Sequence, residues 1–376
     1  MSQTIEIVLP LVRGASGGTL KGLWEVISRW RNSTRVGCIR VHAPRGLHLD
    51  VEALGVKCIR YEASGIEVAL GRFSPEVAAG EGTVVFVPTA RPVRVEGCGV
   101  LTAVRNVDPI QPSRYRGSLK WRLHRGSLLW QTLEACERAT RILVVSGYVR
   151  EVLVSKGFDR GRIDVVYHGA EAITDPESMP EVCQRIRGEF VFAAGSIVPY
   201  RGFEDVIRSV AMYNTSIRAK ITLVIGGGGG LDRSYEGWVR GLPVVAGSDS
   251  ETIWAGQLTP SEMRWCLSHA SAVVQTSRAE SFSIFQVEAM NEGAWIISCD
   301  QPPMPEILGG AADYYEIGDV RALEALLAKR MKASAAEVQE RRERALRRGG
   351  EFSWRREADE TLDALEATRR VWAGSR

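Results

Sequence analysis

The stretch that decides the fold is Arg278-Ala-Glu-Ser-Phe-Ser-Ile-Phe-Gln-Val-Glu-Ala-Met-Asn-Glu-Gly293. Its pattern predicts a small loop that leads into a helix, and Gly293 ends that helix. A short buried strand is predicted before it, at 272–276, and another after it, at 295–298. Strand, loop, helix and strand in this order form the repeating unit of a parallel sheet covered by helices. The stretch therefore predicts an α/β fold.

Two glutamates flank the start of this helix, Glu280 before it and Glu288 about a turn into it. A helix start leaves its first amides unpaired and carries the positive end of the helix dipole, so the amides of Phe282, Ser283 and Ile284 would hold a phosphate group. Carboxylates beside a phosphate site can accept hydrogen bonds from hydroxyl groups of the ligand. A ligand whose phosphate groups lie between two sets of hydroxyls is a nucleotide sugar. The simpler alternative is a helix-start charge and a solvated helix face.

Length and composition limit the class of protein. At 376 residues the chain is too long for one ordinary hydrophobic core, so two domains are expected. The net charge of +3 favours no class of partner. The seven cysteines show no C-x-x-C spacing and no nearby histidine, which argues against a zinc site and a disulfide framework. No apolar run reaches the ~20 residues of a membrane span, and no signal-type segment begins the chain, so a cytoplasmic protein is expected.

The first domain, predicted over 1–180, begins with a strand, a glycine loop and a helix. Gly17 and Gly18 in that loop would let the backbone approach a ligand closely, although a glycine pair also makes a tight turn. Short β-branched runs follow, separated by helices or loops, and they predict a parallel sheet in which ligands bind beyond the carboxyl ends of the strands. Arg105 and Asn106 directly follow one of these runs. They are therefore expected at the mouth of the site.

A basic segment with interleaved aromatic residues occupies 114–130. Ser118 is placed to cap a helix that continues to about Thr140. Such a helix suits an anionic membrane surface or a phosphorylated acceptor. A half-buried helix whose arginines face water is an equally good interpretation. Nucleic acid is the weakest alternative, because the patch is short and the overall charge is nearly balanced.

A second series of strands and helices is predicted over 181–350. It contains the loop Gly195-Ser-Ile-Val-Pro-Tyr-Arg-Gly202 directly after a strand, and the glycine run 226–230 after the next strand. The run makes a flexible loop or lets a nucleotide approach the backbone, and both readings are compatible. Thr259-Pro-Ser-Glu262 has the pattern of a capping box. The last segment, 351–376, contains an amphipathic helix, whose packing partner the pattern leaves open.

With these residues in view, the chain resembles family 4 of the retaining, nucleotide-sugar-dependent glycosyltransferases, most strongly from Gly195 to Tyr315. The family's Glu-x7-Glu element matches Glu280 and Glu288. The match implies that the first glutamate meets hydroxyls of the donor sugar and that the second meets the ribose. The family pattern Glu-Gly-Phe-Gly stands here as Glu280-Ser-Phe-Ser283, so two serines replace glycines.

The resemblance also implies how the donor diphosphate is bound. The family's Gly-Arg-x4-Lys-Gly loop matches 195–202, in which Arg201 replaces the lysine and would bind phosphate in a forked geometry. Ser196 stands where the family has its first cation. The pair Gly17 and Gly18 matches the family's N-terminal loop at the donor phosphate.

The family's usual histidine after the fifth strand is replaced in this chain. Arg105 and Asn106 stand there instead, so a catalytic histidine cannot be carried over and these two residues become candidates to line the acceptor or the donor sugar. His168 matches a family position that is usually asparagine, and we interpret it as structural.

The fold that the resemblance implies is GT-B, with two Rossmann-like parallel-sheet domains facing across a cleft and the helix of 351–376 crossing back onto the N-terminal domain. The donor would bind mostly on the C-terminal domain and the acceptor on the N-terminal domain. Glu280 would orient the sugar, while Arg201 and the amides of 282–284 stabilise the leaving diphosphate, and the anomeric configuration would be retained. No Asp-x-Asp signature stands at a strand end, so neither a metal ion nor another cofactor is expected.

Other functions remain open at this point. A sugar-nucleotide epimerase or hydrolase of the same shape would release nucleotide without any acceptor. A non-catalytic nucleotide-sugar-binding subunit would bind the donor and never turn it over, and Ser196 in place of a cation keeps this alternative open. The acceptor, whether a sugar, a lipid-linked sugar or a small molecule, is not identified. Any membrane contact would be peripheral, at the inner membrane face and through 114–130.

Overall fold

The structure is a computed structural model that describes residues 3–10, 18–45, 47, 54–62, 64–77, 80, 82–111, 119–217, 220–229, 233–242 and 252–375. The chain forms two compact units. The first comprises Met1–Pro112, Leu123–Gly169 and Ser353–Arg376, and the second comprises Ser113–Arg122 and Ala170–Phe352. After Gly169 the chain continues in the second unit as far as Phe352, while the predicted boundary lies at 180.

Each unit is built on one parallel sheet. In the described residues the first sheet contains β1 (Gln3–Val8), β2 (Val36–Pro44), β3 (Lys57–Tyr61), β4 (Thr83–Val87), β5 (Gly99–Val104), β6 (Arg141–Val144) and β7 (Ile163–Val165). The second contains β8 (Phe190–Ala194), β9 (Thr222–Gly226), β10 (Thr252–Gly256), β11 (Ala272–Gln275), β12 (Ile296–Cys299) and β13 (Ala312–Tyr315). The strand orders are β3-β2-β1-β4-β5-β6-β7 and β10-β9-β8-β11-β12-β13. Both reverse beside the first strand of the unit, which is the order of a doubly wound Rossmann-like sheet.

Helices connect these strands. Those of the described residues are α1 (Gly18–Trp30), α2 (Gly65–Ala69), α3 (Leu119–Arg138), α4 (Gly147–Val154), α5 (Phe203–Ile217), α6 (Arg233–Arg240), α7 (Pro260–His269), α8 (Ile284–Asn291), α9 (Met304–Leu308), α10 (Val320–Met331), α11 (Ala335–Gly349) and α12 (Trp354–Gly374). A short 3₁₀ turn, Pro199–Arg201, lies between β8 and α5. The predicted α/β architecture is confirmed, and the capping box at the start of α7 is formed.

The central strands are mostly apolar and buried because helices cover both faces of each sheet. Every residue of β4 and of β8 is buried. In the first unit, Trp30 of α1 meets Phe86 of β4 edge to face, with ring centroids 6.0 Å apart. The indole Nε1 of Trp30 donates to the carbonyl oxygen of Ala358 in α12 at 2.9 Å.

Helix α12 completes the first unit. Its residues Leu362 and Leu365 are buried in the same core cluster as α1 and β4, and burial of each such side chain contributes about 1.5–3 kcal/mol. The chain enters the helix so closely beside Gly169 that a Cβ there would lie 2.4 Å from the backbone nitrogen of Trp354. The predicted return of the C-terminal helix to the N-terminal region is confirmed, and only glycine fits at position 169.

Candidate functional site

The candidate site lies in the second unit, where its sheet reverses strand order. β8 and β11 are neighbours at this switch point, and ligands of doubly wound sheets bind beyond the carboxyl ends of such strands. The loop 195–202 follows β8, and the stretch 276–283 follows β11. These are the two loops from which the sequence predicts diphosphate and sugar contacts.

The two loops are tied to each other through main-chain atoms. The hydroxyl of Thr276 donates to the carbonyl oxygen of Arg201 at 2.6 Å, and the backbone N–H of Arg278 donates to that of Tyr200 at the same distance. Gly202 then turns the chain into α5 with φ +64°. The turn that carries Arg201 is thereby fixed on the end of β11.

Arg278 packs against this turn and pairs with two acids that follow it. Its Nη2 lies 3.1 Å from Oδ2 of Asp205 and 3.0 Å from Oε1 of Glu204, two acids in the first turn of α5. A Cβ at Gly202 would fall 2.0 Å from Nη1 of Arg278 and 2.7 Å from the carbonyl oxygen of Thr276. Arg278 is thus a positioning residue, and its fit against the turn requires glycine at 202.

Arg201 and Glu280 form an ion pair between the two loops. The exposed fractions of their side chains are 22% and 10%. Burial works to lower the pKa of Arg201, but the charges of Glu280 and Tyr200 together leave that pKa above its ordinary value. The guanidinium therefore stays charged, and its Nε has no hydrogen-bond partner among the described residues. The sequence predicts separate roles for the two residues, and the structure adds that they touch.

Gln275 is a residue of this site that sequence reasoning missed. It is the last residue of β11 and is buried. Its Nε2 donates to Oε1 of Glu280 at 3.1 Å and to the hydroxyl oxygen of Ser283 at 3.1 Å. A signal was present, because a polar residue that ends a buried strand at the carboxyl edge of a sheet is placed for a ligand site.

Ser283 stands at the start of α8 in a left-handed conformation, with φ 77° and ψ 78°. This backbone costs an L-residue about 1–2 kcal/mol relative to glycine, which explains why the family pattern has glycine there. Phe282 anchors the loop, since its buried ring meets Phe352 edge to face at 5.5 Å. Ile284 begins α8, so the predicted anion-holding amides do lie at a helix start.

Two further residues that are predicted to contact the donor lie on or beside these loops. Glu288 is half-buried on α8, about a turn after Ile284, and Ser196 is half-buried directly after β8. In the first unit, Gly17 lies outside the described residues, and α1 begins at Gly18. The phosphate contacts of the glycine pair therefore remain a prediction.

Arg105 belongs to a separate cluster, in the first unit. It follows β5, its side chain is 9% exposed, and its Nη2 lies 3.3 Å from Oε1 of Glu357 in α12. The same carboxylate receives the backbone N–H of Gly169 at 2.8 Å and contacts Nδ1 of His168 at 3.1 Å. Nε and Nη1 of Arg105 have no partner among the described residues. The contacts of His168 agree with a structural role.

Asn106 is exposed beside Arg105. Its side-chain oxygen accepts the backbone N–H of Asp108 at 3.1 Å, which is the geometry of a local Asx turn. The amide nitrogen and the second lone pair of the side-chain oxygen can still meet a ligand.

The basic segment 114–130 lies partly outside the described residues, but α3 begins at Leu119, where a cap at Ser118 would place it. Arg125 in α3 does not face water alone, since its Nη2 donates to the carbonyl oxygen of Asp108 at 2.7 Å. Across the helices that the structure describes, none combines the length and apolar character needed to cross a membrane. The same residues contain no cluster of three or more metal-ligating side chains.

Comparison with known proteins agrees with this architecture. Residues 184–348 match the family model of glycosyl transferases group 1, while no curated protein matches the sequence. The solved structure of Anabaena HepE in complex with UDP and glucose is similar, with a TM-score of 0.70, 12% identity and coverage of 97% of this chain and 100% of that one.

Two other solved structures are similar over nearly their whole length. The lipopolysaccharide outer core galactosyltransferase WaaB gives a TM-score of 0.63 at 17% identity, with coverage of 97% of this chain and 99% of that one. The N-terminal domain of Candida albicans trehalose-6-phosphate phosphatase gives 0.67 at 11%, with coverage of 98% and 97%. At these identities the likeness shows the fold, which is GT-B. With the family model, it supports a GT-B glycosyltransferase.

Proposed function

We propose that this protein transfers a sugar from a nucleotide-sugar donor to an acceptor hydroxyl and retains the anomeric configuration. The observation that carries the proposal is the constellation of Arg201, Glu280 and Gln275 at the switch point of the second sheet. It lies inside the stretch that matches the glycosyl transferase model. Such a site offers a cation, a carboxylate and helix amides for a ligand that carries both phosphate and hydroxyl groups.

The proposed donor contacts use the ion pair between the two loops and the start of α8. Oε1 of Glu280 accepts from Arg201 and Gln275, and its second oxygen has capacity for two hydroxyl donors of a sugar. Nε of Arg201 and the backbone amides of 282–284, the residues that lead into α8, are proposed as donors for the diphosphate. Glu288, about a turn later, is proposed for the ribose hydroxyls.

The base and the phosphate-side contacts are further parts of the proposal. HepE of Anabaena has been solved with UDP and with UDP-glucose, which supports a uridine nucleotide as the first to test. Gly17, Gly18 and Ser196 are proposed beside the phosphates. Ser196 supplies a hydroxyl where a second cation would stand, so Arg201 carries the larger share of the charge.

The chemistry requires no protein nucleophile. The acceptor oxygen bonds to the anomeric carbon on the face from which the diphosphate departs, and the acceptor proton passes to a phosphate oxygen. As the glycosidic bond to phosphate breaks, negative charge grows on the diphosphate. Arg201 and the α8 amides stabilise that charge, and Glu280 orients the sugar. Loss of one such preorganised group typically lowers turnover by ~10²-fold or more.

A thermal-shift panel with UDP, GDP, ADP and their glucose conjugates tests donor binding directly. We expect one nucleotide and its sugar to raise the melting temperature, and the Glu280→Gln variant to lose the extra shift due to the sugar. The matched control is Arg208→Gln, an exposed change on α5, which should respond like the wild type. No shift with any nucleotide would contradict the proposal.

A second candidate function is a non-catalytic binding subunit, which the Arg201–Glu280 pair favours. A turnover assay separates the two functions. In the structure the one cation expected at the diphosphate is already neutralised by Glu280. The assay incubates the protein with the stabilising nucleotide sugar, with and without candidate acceptors, and measures nucleotide release. Acceptor-dependent release supports transfer, whereas binding without any release supports the subunit.

A further inference from the structure

A second cavity lies at the amino ends of the strands of the second sheet, whereas the candidate donor site lies beyond their carboxyl ends. Its volume is about 530 Å³, within the range of small-molecule sites. Phe190 at the start of β8, Ser271 just before β11 and Trp295 just before β12 are among its lining residues. The donor-site residues follow the carboxyl ends of β8 and β11, so the two sites share no lining residue.

Two guanidinium groups of this cavity have unused donors. Nε of Arg330 donates to the carbonyl oxygen of Ser271 at 2.6 Å, and its two terminal amino groups have no partner among the described residues. Burial lowers the pKa of Arg330, and the opposing charge of Glu189, an exposed residue that also lines the cavity, does not fully offset this effect. Arg342 of α11 is exposed at the rim and has neither a hydrogen bond nor an ion pair to a described residue.

Trp295 adds a third unmet donor. The residue is 5% exposed, and its indole Nε1 is buried without a hydrogen-bond partner among the described residues. Arg330 and Arg341 lie over its ring, 5.4 and 5.0 Å from the centroid. A buried donor without an acceptor destabilises the fold. The unpaired donors of Arg330, Arg342 and Trp295 therefore favour a ligand that brings acceptor oxygens into the cavity.

Charge and shape identify the class of ligand. Guanidinium groups match the oxygen geometry of phosphate and carboxylate, and a phosphate monoester offers three acceptor oxygens with nearly two negative charges. The cavity is larger than one phosphate needs, and its walls include Trp265, whose ring stacks on Phe190 at 5.4 Å. We propose that this cavity is a second binding site for a small organic phosphate monoester, held by Arg330 and Arg342. The proposal is independent of the function assigned to the donor site.

The test uses indole ¹⁵N–¹H spectra of tryptophan-labelled protein titrated with glucose 1-phosphate, glycerol 3-phosphate and inorganic phosphate. The Trp295 signal is assigned by its loss in Trp295→Phe. We expect that signal to shift saturably with at least one ester, and the Arg342→Gln variant to weaken the binding about tenfold. Arg347→Gln, an exposed change on the same helix outside this cavity, should bind as tightly as the wild type.

Three results would overturn the inference. The first is an unshifted Trp295 signal with both esters, and the second is equal affinity of the wild type and Arg342→Gln. The third is inorganic phosphate binding as tightly as the esters, which would leave no role for an organic body. An Arg201→Gln protein provides the check against the donor site, because ester binding at the second cavity should survive that change.

Discussion

The buried carboxylate of Glu357 offers the most direct test of how the first unit is held together. It is 2% exposed and receives the backbone N–H of Gly169, while Nη2 of Arg105 lies 3.3 Å away. Glu357→Ala leaves the guanidinium of Arg105 and the backbone amide of Gly169 without their acceptor. Removal of one partner of such a buried pair costs about 3–5 kcal/mol of unfolding free energy. Glu357→Gln keeps an acceptor for the amide, so we expect a loss of about 1–3 kcal/mol.

The assay is urea unfolding of the purified variants, followed by far-ultraviolet circular dichroism and analysed for the transition of the first unit. Glu366→Ala, also on α12, is the matched control because Glu366 pairs with Arg35 at 2.9 Å and is about a third exposed. Its loss should stay below about 1 kcal/mol. If Glu357→Ala is no more destabilising than Glu366→Ala, the reasoning about the buried cluster is wrong.

The same carboxylate gives a pH signature. Burial works to raise the pKa of Glu357, but His168 and Arg105 together hold it below its ordinary value of 4.5. A carboxyl whose pKa is lower in the folded state stabilises the fold above pH 4.5 and loses that contribution as the pH falls further. The stability gap between the wild type and Glu357→Gln should therefore be full at neutral pH and shrink well below pH 4.5. A gap that widens on acidification would contradict this assignment.

Three further outcomes follow from the second unit. Glu280→Gln should lower turnover by ~10²-fold at saturating donor. The melting temperature should change little, because glutamine still accepts a hydrogen bond from Arg201. Turnover equal to that of the wild type would refute the assignment of the site. Glu288→Ala should raise the dissociation constant of the nucleotide, measured by calorimetry, and leave the maximal rate nearly unchanged. Gly202→Ala should cost more than about 1–2 kcal/mol of unfolding free energy. The new Cβ would both overlap with Arg278 and require a positive φ that alanine rarely adopts. A neutral effect would mean that the turn can relax.

The parts of this fold that depend on residues close together along the chain are predictable from the sequence. The strand, loop and helix around 278–293 are present, as is the capping box at Thr259. Such features follow from hydrophobic spacing and from hydrogen bonds a few residues apart. The strand β13 was not predicted, since a four-residue segment with Asp313 in it is too short to show a period.

The contacts that define the candidate site could not be derived in the same way. The sequence predicts Arg201 and Glu280 as site residues, yet their pairing depends on how two loops of the folded sheet meet. Gln275 looks like any polar residue at a strand end until its two acceptors are placed beside it. Glu357 lies far along the chain from Arg105, so no spacing rule connects them.

The division of the chain has a consequence for its synthesis. The first unit needs α12, whereas Ala170–Phe352 of the second unit is translated before α12 exists. At typical translation speeds the ribosome takes roughly 10–40 s to make that intervening stretch. During this time the apolar surface around Trp30, which later receives Ala358 and Leu362, lacks its cover on the nascent chain. The second unit is therefore complete on the ribosome before the first, and the first unit exposes this surface to chaperones until α12 emerges.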